Sequence, residues 1–219
     1  MRPGYCLAYV GALVIAAGLV SCSERPIHVV CDQLAAKDVE NFVRAFERKT
    51  GVPVRFHAYS GDLLARYLYT HGPCDVAVVA NTDCASQALP HLSADCIWNA
   101  DTIVLASPAQ EPPAIVAVPA DQTPLAAWSR DFVPTNLPTY VMLQPNAEII
   151  TVEKKLADAA VMQLSVAHAA GWHVHKMRVV TDAYRLILQA TEHPAAKRLF
   201  DYLNTRRPRA NESVQTPHN

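Results

Sequence analysis

Hydrophobic periodicity switches back and forth between two values along this chain, and that alternation narrows the fold more than any other feature. Ile27-His28-Val29-Val30-Cys31 is a short apolar run that suits a buried strand. It leads through Asp32-Gln33 into a predicted helix from Ala36 to Lys49, where Val39, Phe42, Val43 and Phe46 recur at helical spacing and Thr50-Gly51 stops it. Val52 to Phe56 is a second strand, and Ser60-Gly61-Asp62 caps a helix carrying Leu63, Leu64, Tyr67 and Leu68. Asp75 to Val79 is a third strand, with Asn81-Thr82-Asp83 starting the next helix, and Thr102 to Ala106 is a fourth. Strands alternating with helices of this length imply an α/β fold with a parallel sheet covered on both faces. Ligands of such sheets sit beyond the carboxyl ends of the strands.

Seven prolines from Pro108 to Pro138 interrupt this rhythm and leave room only for short strands such as Ile115 to Val118. Tyr140 to Leu143, Ala159 to Gln163 and Lys176 to Val180 are further strand candidates. A last helix is predicted from Pro194 to Asn204 with Leu199, Phe200 and Leu203 on one face, and the polar tail from 206 to 219 reads as disordered. With 51% hydrophobic and 18% charged residues, the 219-residue chain should fold into a globule. Its formal net charge of −1 offers no basic surface for nucleic acid, so no nucleic-acid partner is expected.

The first residues point outside the cytoplasm. Arg2 is the only charge before Glu24, and Tyr5 to Val20 is an apolar run, slightly short of the ~20 residues that span a bilayer. A basic start followed by such a run is the pattern of an export signal. Leu19-Val20-Ser21-Cys22 resembles the lipobox of bacterial lipoproteins, which implies a signal peptide over 1–21, cleavage before Cys22, acylation of its thiol by palmitate-like chains, and a linker over 22–26. More than one acyl chain would hold the protein durably on the extracytoplasmic side of a membrane, because one chain alone anchors marginally. Cys31, Cys74, Cys84 and Cys96 then remain, an even number in a compartment that permits disulfides. One or two bridges are expected in three possible pairings; leaving Cys31 as a buried thiol is the other reading.

The order of these elements resembles the periplasmic solute-binding proteins of ABC importers in their two-lobed, type 2 form. Phe46-Glu47-Arg48-Lys49-Thr50-Gly51-Val52-Pro53-Val54 is similar to that family's helix-to-strand phrase. Tyr59-Ser60-Gly61-Asp62-Leu63-Leu64-Ala65-Arg66 and Pro73-Cys74-Asp75-Val76-Ala77-Val78-Val79-Ala80-Asn81 look like the molybdate-binding branch. So does the crossover strand Asn99-Ala100-Asp101-Thr102-Ile103-Val104-Leu105-Ala106-Ser107-Pro108. His193 to Leu203 resembles the closing helix. The resemblance implies a first lobe from 27–107 plus 180–205, a shortened second lobe from 108–179, a hinge, and an ABC permease as partner of a monomeric receptor without catalytic activity or cofactor. It implies a small ligand in the cleft, either an oxyanion such as molybdate or a metal or ferric species. Asp32-Gln33 stands where the molybdate branch has a small hydroxyl residue and is closer to the ferric-iron-binding branch, whose tandem tyrosines have no equivalent here; the second-lobe tyrosine falls near Gln163.

Candidate ligand-binding residues are therefore Asp32, Gln33, Ser60, Gly61, Asn81, Thr82 and Gln163. Ser60 either caps its helix or donates to a ligand, and Asn81 and Thr82 are turn residues or ligand contacts. His173 and His175 point the same way on a strand, but no carboxylate or cysteine completes a metal site beside them. Glu153 to Asp158 reads as a solvated helix face with i,i+4 support at Lys154 and Asp158. Seven glycines in all, with no G-x-S-x-G turn and no phosphate loop, leave a hydrolase to be recognised only by a serine or cysteine meeting a histidine in space. A structural or interaction lipoprotein that keeps the fold without transport is the alternative function.

Overall fold

The computed structural model describes residues 25–82, 92–120, 123–130, 132–133, 135–143, 147–190 and 192–206. The expected signal peptide, Cys22, the helix start at Asp83, Cys84 and the tail beyond residue 206 lie outside them. Among the described residues, eight strands form one sheet: β1 (Ile27–Asp32), β2 (Val54–Tyr59), β3 (Val76–Ala80), β4 (Leu92–Ser107), β5 (Val116–Pro119), β6 (Thr139–Met142), β7 (Ala159–Gln163) and β8 (His173–Gln189). Their order across the sheet is β2-β1-β3-β8-β4-β7-β5-β6.

Register explains why two halves face each other. β1 runs parallel to β2 and β3, and β5 runs parallel to β6 and β7, so each half has a parallel core. The long strands β4 and β8 form an antiparallel ribbon between them. The carboxyl-terminal part of β8 holds β3, pairing Val76 with Leu188 and Ala80 with Tyr184. The carboxyl-terminal part of β4 holds β7, pairing Ala106 with Ala160 and Ile103 with Gln163. Both parallel cores thus aim their carboxyl ends at the middle of the ribbon, where register shifts occur between Ile97, Asn99 and Asp101. Such irregularities bend and twist a ladder, which suits a hinge.

Among the described residues, six helices cover the two faces. α1 (Ala36–Thr50) ends where Gly51 takes φ 72° and returns its N–H to Glu47, a left-handed cap that glycine adopts without steric cost. α1 and α6 (Pro194–Thr205) pack on one face of the first half, burying Val39, Val43, Phe46, Leu199 and Leu203 against Val29, Cys31 and Val78. The same apolar cluster continues into the second half through Leu125 and Trp128 of α3 (Pro124–Ser129). On the other face, α2 (Gly61–Tyr69) seals Leu64 and Leu68 on Val30, Ala77 and Val79. There, α4 (Glu148–Glu153) and α5 (Leu164–Ala170) cover Val104, Ala117, Ala160 and Met162. Burial on both faces is why β1, β3 and β7 read as unbroken apolar runs.

Two expectations are corrected. Helix α4 stops at Glu153, and Lys155 turns through φ 58°, so Lys154 and Asp158 do not share a helix face. Asp158 instead accepts from the amides of Ala114 and Ile115 at the entry to β5. The bridges expected from an even cysteine count do not form among the described residues. Cys31 is a buried thiol on Asp32 O, Cys74 is free, and the Cys96 thiol donates to Asn204.

Candidate functional site

The carboxyl ends of β1, β2, β5 and β6 meet in a narrow crevice, bordered by Asp32, Gln33, Leu34, Ser60 and Gly61 from the first half. Pro119, Thr123, Pro124, Leu125, Met142 and Glu148 border it from the second, around about 450 Å³ of free space including what opens to solvent. Its walls are mostly carbon, and two of its few polar groups are carboxyls. Asp32 is only 2% exposed. Its Oδ1 accepts from the Leu34 amide at 2.9 Å, capping the 3₁₀ turn that leads into α1. Burial pushes its pKa up to about 6, against the opposing pull of that amide. The carboxylate therefore occupies the place at a helix entry where an external anion would otherwise be welcomed.

Ser60 sits at the N-cap position of α2, yet its hydroxyl makes no capping bond, so the pure-cap reading does not hold. Across the crevice Thr123 caps α3 by accepting from the Ala126 amide at 3.2 Å. Glu148 opens α4 with its side chain buried, and burial raises its pKa as well.

Gln163 lies elsewhere, on a larger crevice of about 2140 Å³ of free, partly solvent-open space along the ribbon's middle, which shares Gln33 and Leu34 with the first. Its Nε2 donates to Asp101 at 2.6 Å and to the Leu34 carbonyl at 3.2 Å, tying the two halves together. Asp101 also accepts from Tyr184 Oη at 2.7 Å and from the Thr102 amide. Burial raises the Asp101 pKa, and these three donors hold it back. Asn81 and Thr82 border neither crevice. Asn81 leaves the same sheet edge but donates to Asp182 at 3.2 Å and takes the Ala183 carbonyl with its amide.

Four residues that matter here escaped the sequence reading. Thr123-Pro124 carries a legible cap signal, since proline favours the first helical position. Asp101 interrupts an apolar strand, a visible polar anomaly, whereas Glu148 and Tyr184 gave no local sign at all.

A serine does meet a histidine. Ser107 Oγ is 2.6 Å from His175 Nε2, but the hydroxyl donates to the Ala109 carbonyl, so the ring N–H must donate to it. That polarity is opposite to nucleophile activation, and Ser107 is buried at 2% exposure. His173 is exposed and does not share that contact, and no group of three metal-binding side chains gathers among the described residues.

No protein-family model matches the chain, and no curated protein does. Solved structures do. The substrate-binding domain of a putative molybdenum ABC transporter from Clostridium difficile superposes with a TM-score of 0.62 at 11% identity, covering 83% of this chain and 93% of that one. The regulatory domain of Synechocystis CcmR in complex with 2-PG gives 0.61 at 9% identity, covering 84% and 98%. An ancestral arginine-binding protein bound to arginine gives 0.57 at 14% identity, covering 83% and 92%. These neighbours are binding proteins and regulatory domains, not enzymes. The chain has the mixed α/β fold of type 2 periplasmic-binding proteins, a fold shared by substrate-binding domains of ABC transporters and by regulatory domains.

Proposed function

We propose that this protein is an extracytoplasmic solute-binding lipoprotein of an ABC importer, anchored through Cys22, that closes its two halves on a small ligand and presents it to a membrane permease. The observation that carries this reading is the crevice where the carboxyl ends of both parallel cores converge beside an irregular, hinge-like ribbon. Closure would shift population toward the closed form in proportion to the ligand's preference for it. Asp32, Gln33, Ser60 and Gly61 are the ligand-facing residues in this reading, with Gln163 acting at the hinge. Of the two ligand classes that the sequence resemblance implies, an oxyanion fits the buried Asp32 and Glu148 carboxyls poorly, and a positively charged species fits them well.

A second reading, a structural or interaction lipoprotein that no longer transports, is favoured by the crevice's narrowness, with Leu34, Leu125 and Met142 among its walls. Thermal shift of the mature chain against molybdate, tungstate, sulfate, phosphate, ferric citrate, zinc and organic ammonium salts separates the two. A ligand at 100-fold over its Kd adds about 2.7 kcal/mol of stability. No shift with any of them supports the second reading. For the anchor, Cys22→Ser should abolish incorporation of labelled palmitate and release the protein from the membrane fraction. A variant that still partitions with membranes removes the lipid from the proposal.

A further inference from the structure

Resting on the reading of the narrow crevice as the ligand site, we infer that its ligand is an organic cation, an ammonium group carried on a short apolar body, held between Asp32 of one half and Glu148 of the other. The two carboxyls enter the same space from opposite sides of the hinge. Asp32 is 2% exposed and Glu148 8% exposed. Asp32 spends one oxygen on the Leu34 amide, and its Oδ2 meets no donor among the described residues. Among the described residues the Glu148 carboxyl is met by no donor beyond its own backbone amide. An ionised carboxyl has about four acceptor sites, so both keep unused capacity in a crevice walled mostly by carbon. A buried charge of this kind is costly until a counter-charge joins it.

The rest of the lining decides what sort of cation. Divalent calcium takes six to eight oxygens, and zinc takes four ligands. Two carboxyls on separate halves fall short of either, and no third metal-binding side chain joins them among the described residues. An ammonium with three N–H donors needs fewer partners and can satisfy one carboxyl from each half. Leu34, Pro119, Pro124, Leu125 and Met142 supply carbon for the body it is carried on. Carboxyls already stand at two helix entries here: Asp32 serves the 3₁₀ turn before α1, and Glu148 opens α4. Thr123 serves α3, which leaves the entry of α2 at Ser60 without a carboxyl or a capping hydroxyl. Because the cation touches both halves at once, its binding would itself favour closure.

Three isosteric probes test this on the full mature chain: n-butylammonium, 1-butanol and n-butyrate, each titrated by calorimetry and by thermal shift at pH 7.5. The expected result is saturable binding and a rise in Tm with butylammonium alone, weakened at least tenfold by Asp32→Asn and by Glu148→Gln. Should Glu148→Gln fail to fold, Asp32→Asn keeps an acceptor for the Leu34 amide and carries the comparison alone. Binding of butyrate or molybdate in place of butylammonium overturns the cation and leaves the crevice as a ligand site. Butylammonium binding that both variants leave unchanged puts the cation elsewhere and overturns the site. No binding by any of the three probes overturns the cation, and the wider screen of oxyanions and metal species then decides whether the crevice is a ligand site.

Discussion

Trp98→Ala is expected to lower the unfolding free energy by about 3–5 kcal/mol, the range for deleting a buried large aromatic. Trp98 is 1% exposed, and it stands on β4 beside the register shifts of the ribbon's middle. Its ring meets Phe42 of α1 edge-on with centroids 6.5 Å apart. Its Nε1 donates to the Leu203 carbonyl near the end of α6 at 3.1 Å. One side chain thus fastens the ribbon to both helices on that face of the first half. Trp98→Phe should cost less, about 1–3 kcal/mol, because a smaller cavity opens and the Leu203 carbonyl loses one of two donors, keeping the Arg206 amide. Urea denaturation followed by far-UV circular dichroism measures both. With total stabilities near 5–15 kcal/mol, the alanine variant would be marginal at ambient temperature. A loss below about 1 kcal/mol would mean that the ribbon is not pinned there.

The parts of the fold that bury apolar residues were legible in the sequence, and the parts held by backbone pairing were not. Val29, Val30 and Cys31, like Val76 to Val79, are buried on both faces and announce themselves as apolar runs. The sequence pattern marks β8 only from Lys176 to Val180, yet it spans His173–Gln189. Between Val174 and Asp182 most of its side chains are exposed, so ladder hydrogen bonds to β4, not burial, make it a strand. β4 was shortened for a related reason, since Asn99, Asp101 and Thr102 break the apolar pattern where the ribbon is irregular.

Site residues divided the same way. Asp32 ends β1 and Ser60 follows β2, so chain order placed them at the carboxyl edge of the sheet. Asp101 meets Gln163 and Tyr184 across separations of 62 and 83 residues, and Glu148 reaches the crevice from the far half. Contacts of that range leave no period or spacing behind. Asn81 shares the edge too, but its pairing with Asp182 of β8 turns it to the ribbon, a preference that only the neighbouring strand could decide.

Asp32→Asn should stabilise the protein at pH 7.5 by about 1–3 kcal/mol, the equivalent of a carboxyl whose pKa rises from 3.8 to about 6 on folding, discounted for relaxation around the charge. Between those two values the folded state holds a proton that the unfolded state has released. The group's contribution is therefore fully present below pH ~3.8 and is lost as pH rises through ~6. Burial raises the pKa of Asp101 and Glu148 as well, and their contributions run in the same direction. Burial lowers that of His28, which contributes in the opposite sense as pH falls. The difference between wild type and variant isolates Asp32 from these. Urea midpoints at pH 4.5, 6.0 and 7.5 should show a stability gap that widens with pH and shrinks to about a third of its full size at the acid end. Asparagine keeps an oxygen for the Leu34 amide, so a variant less stable than wild type at pH 7.5 would show the charge to be a helix cap with a net gain of its own. A gain in stability would instead mark Asp32 as a residue kept at a cost to the fold, which is the usual signature of a group retained for what it binds.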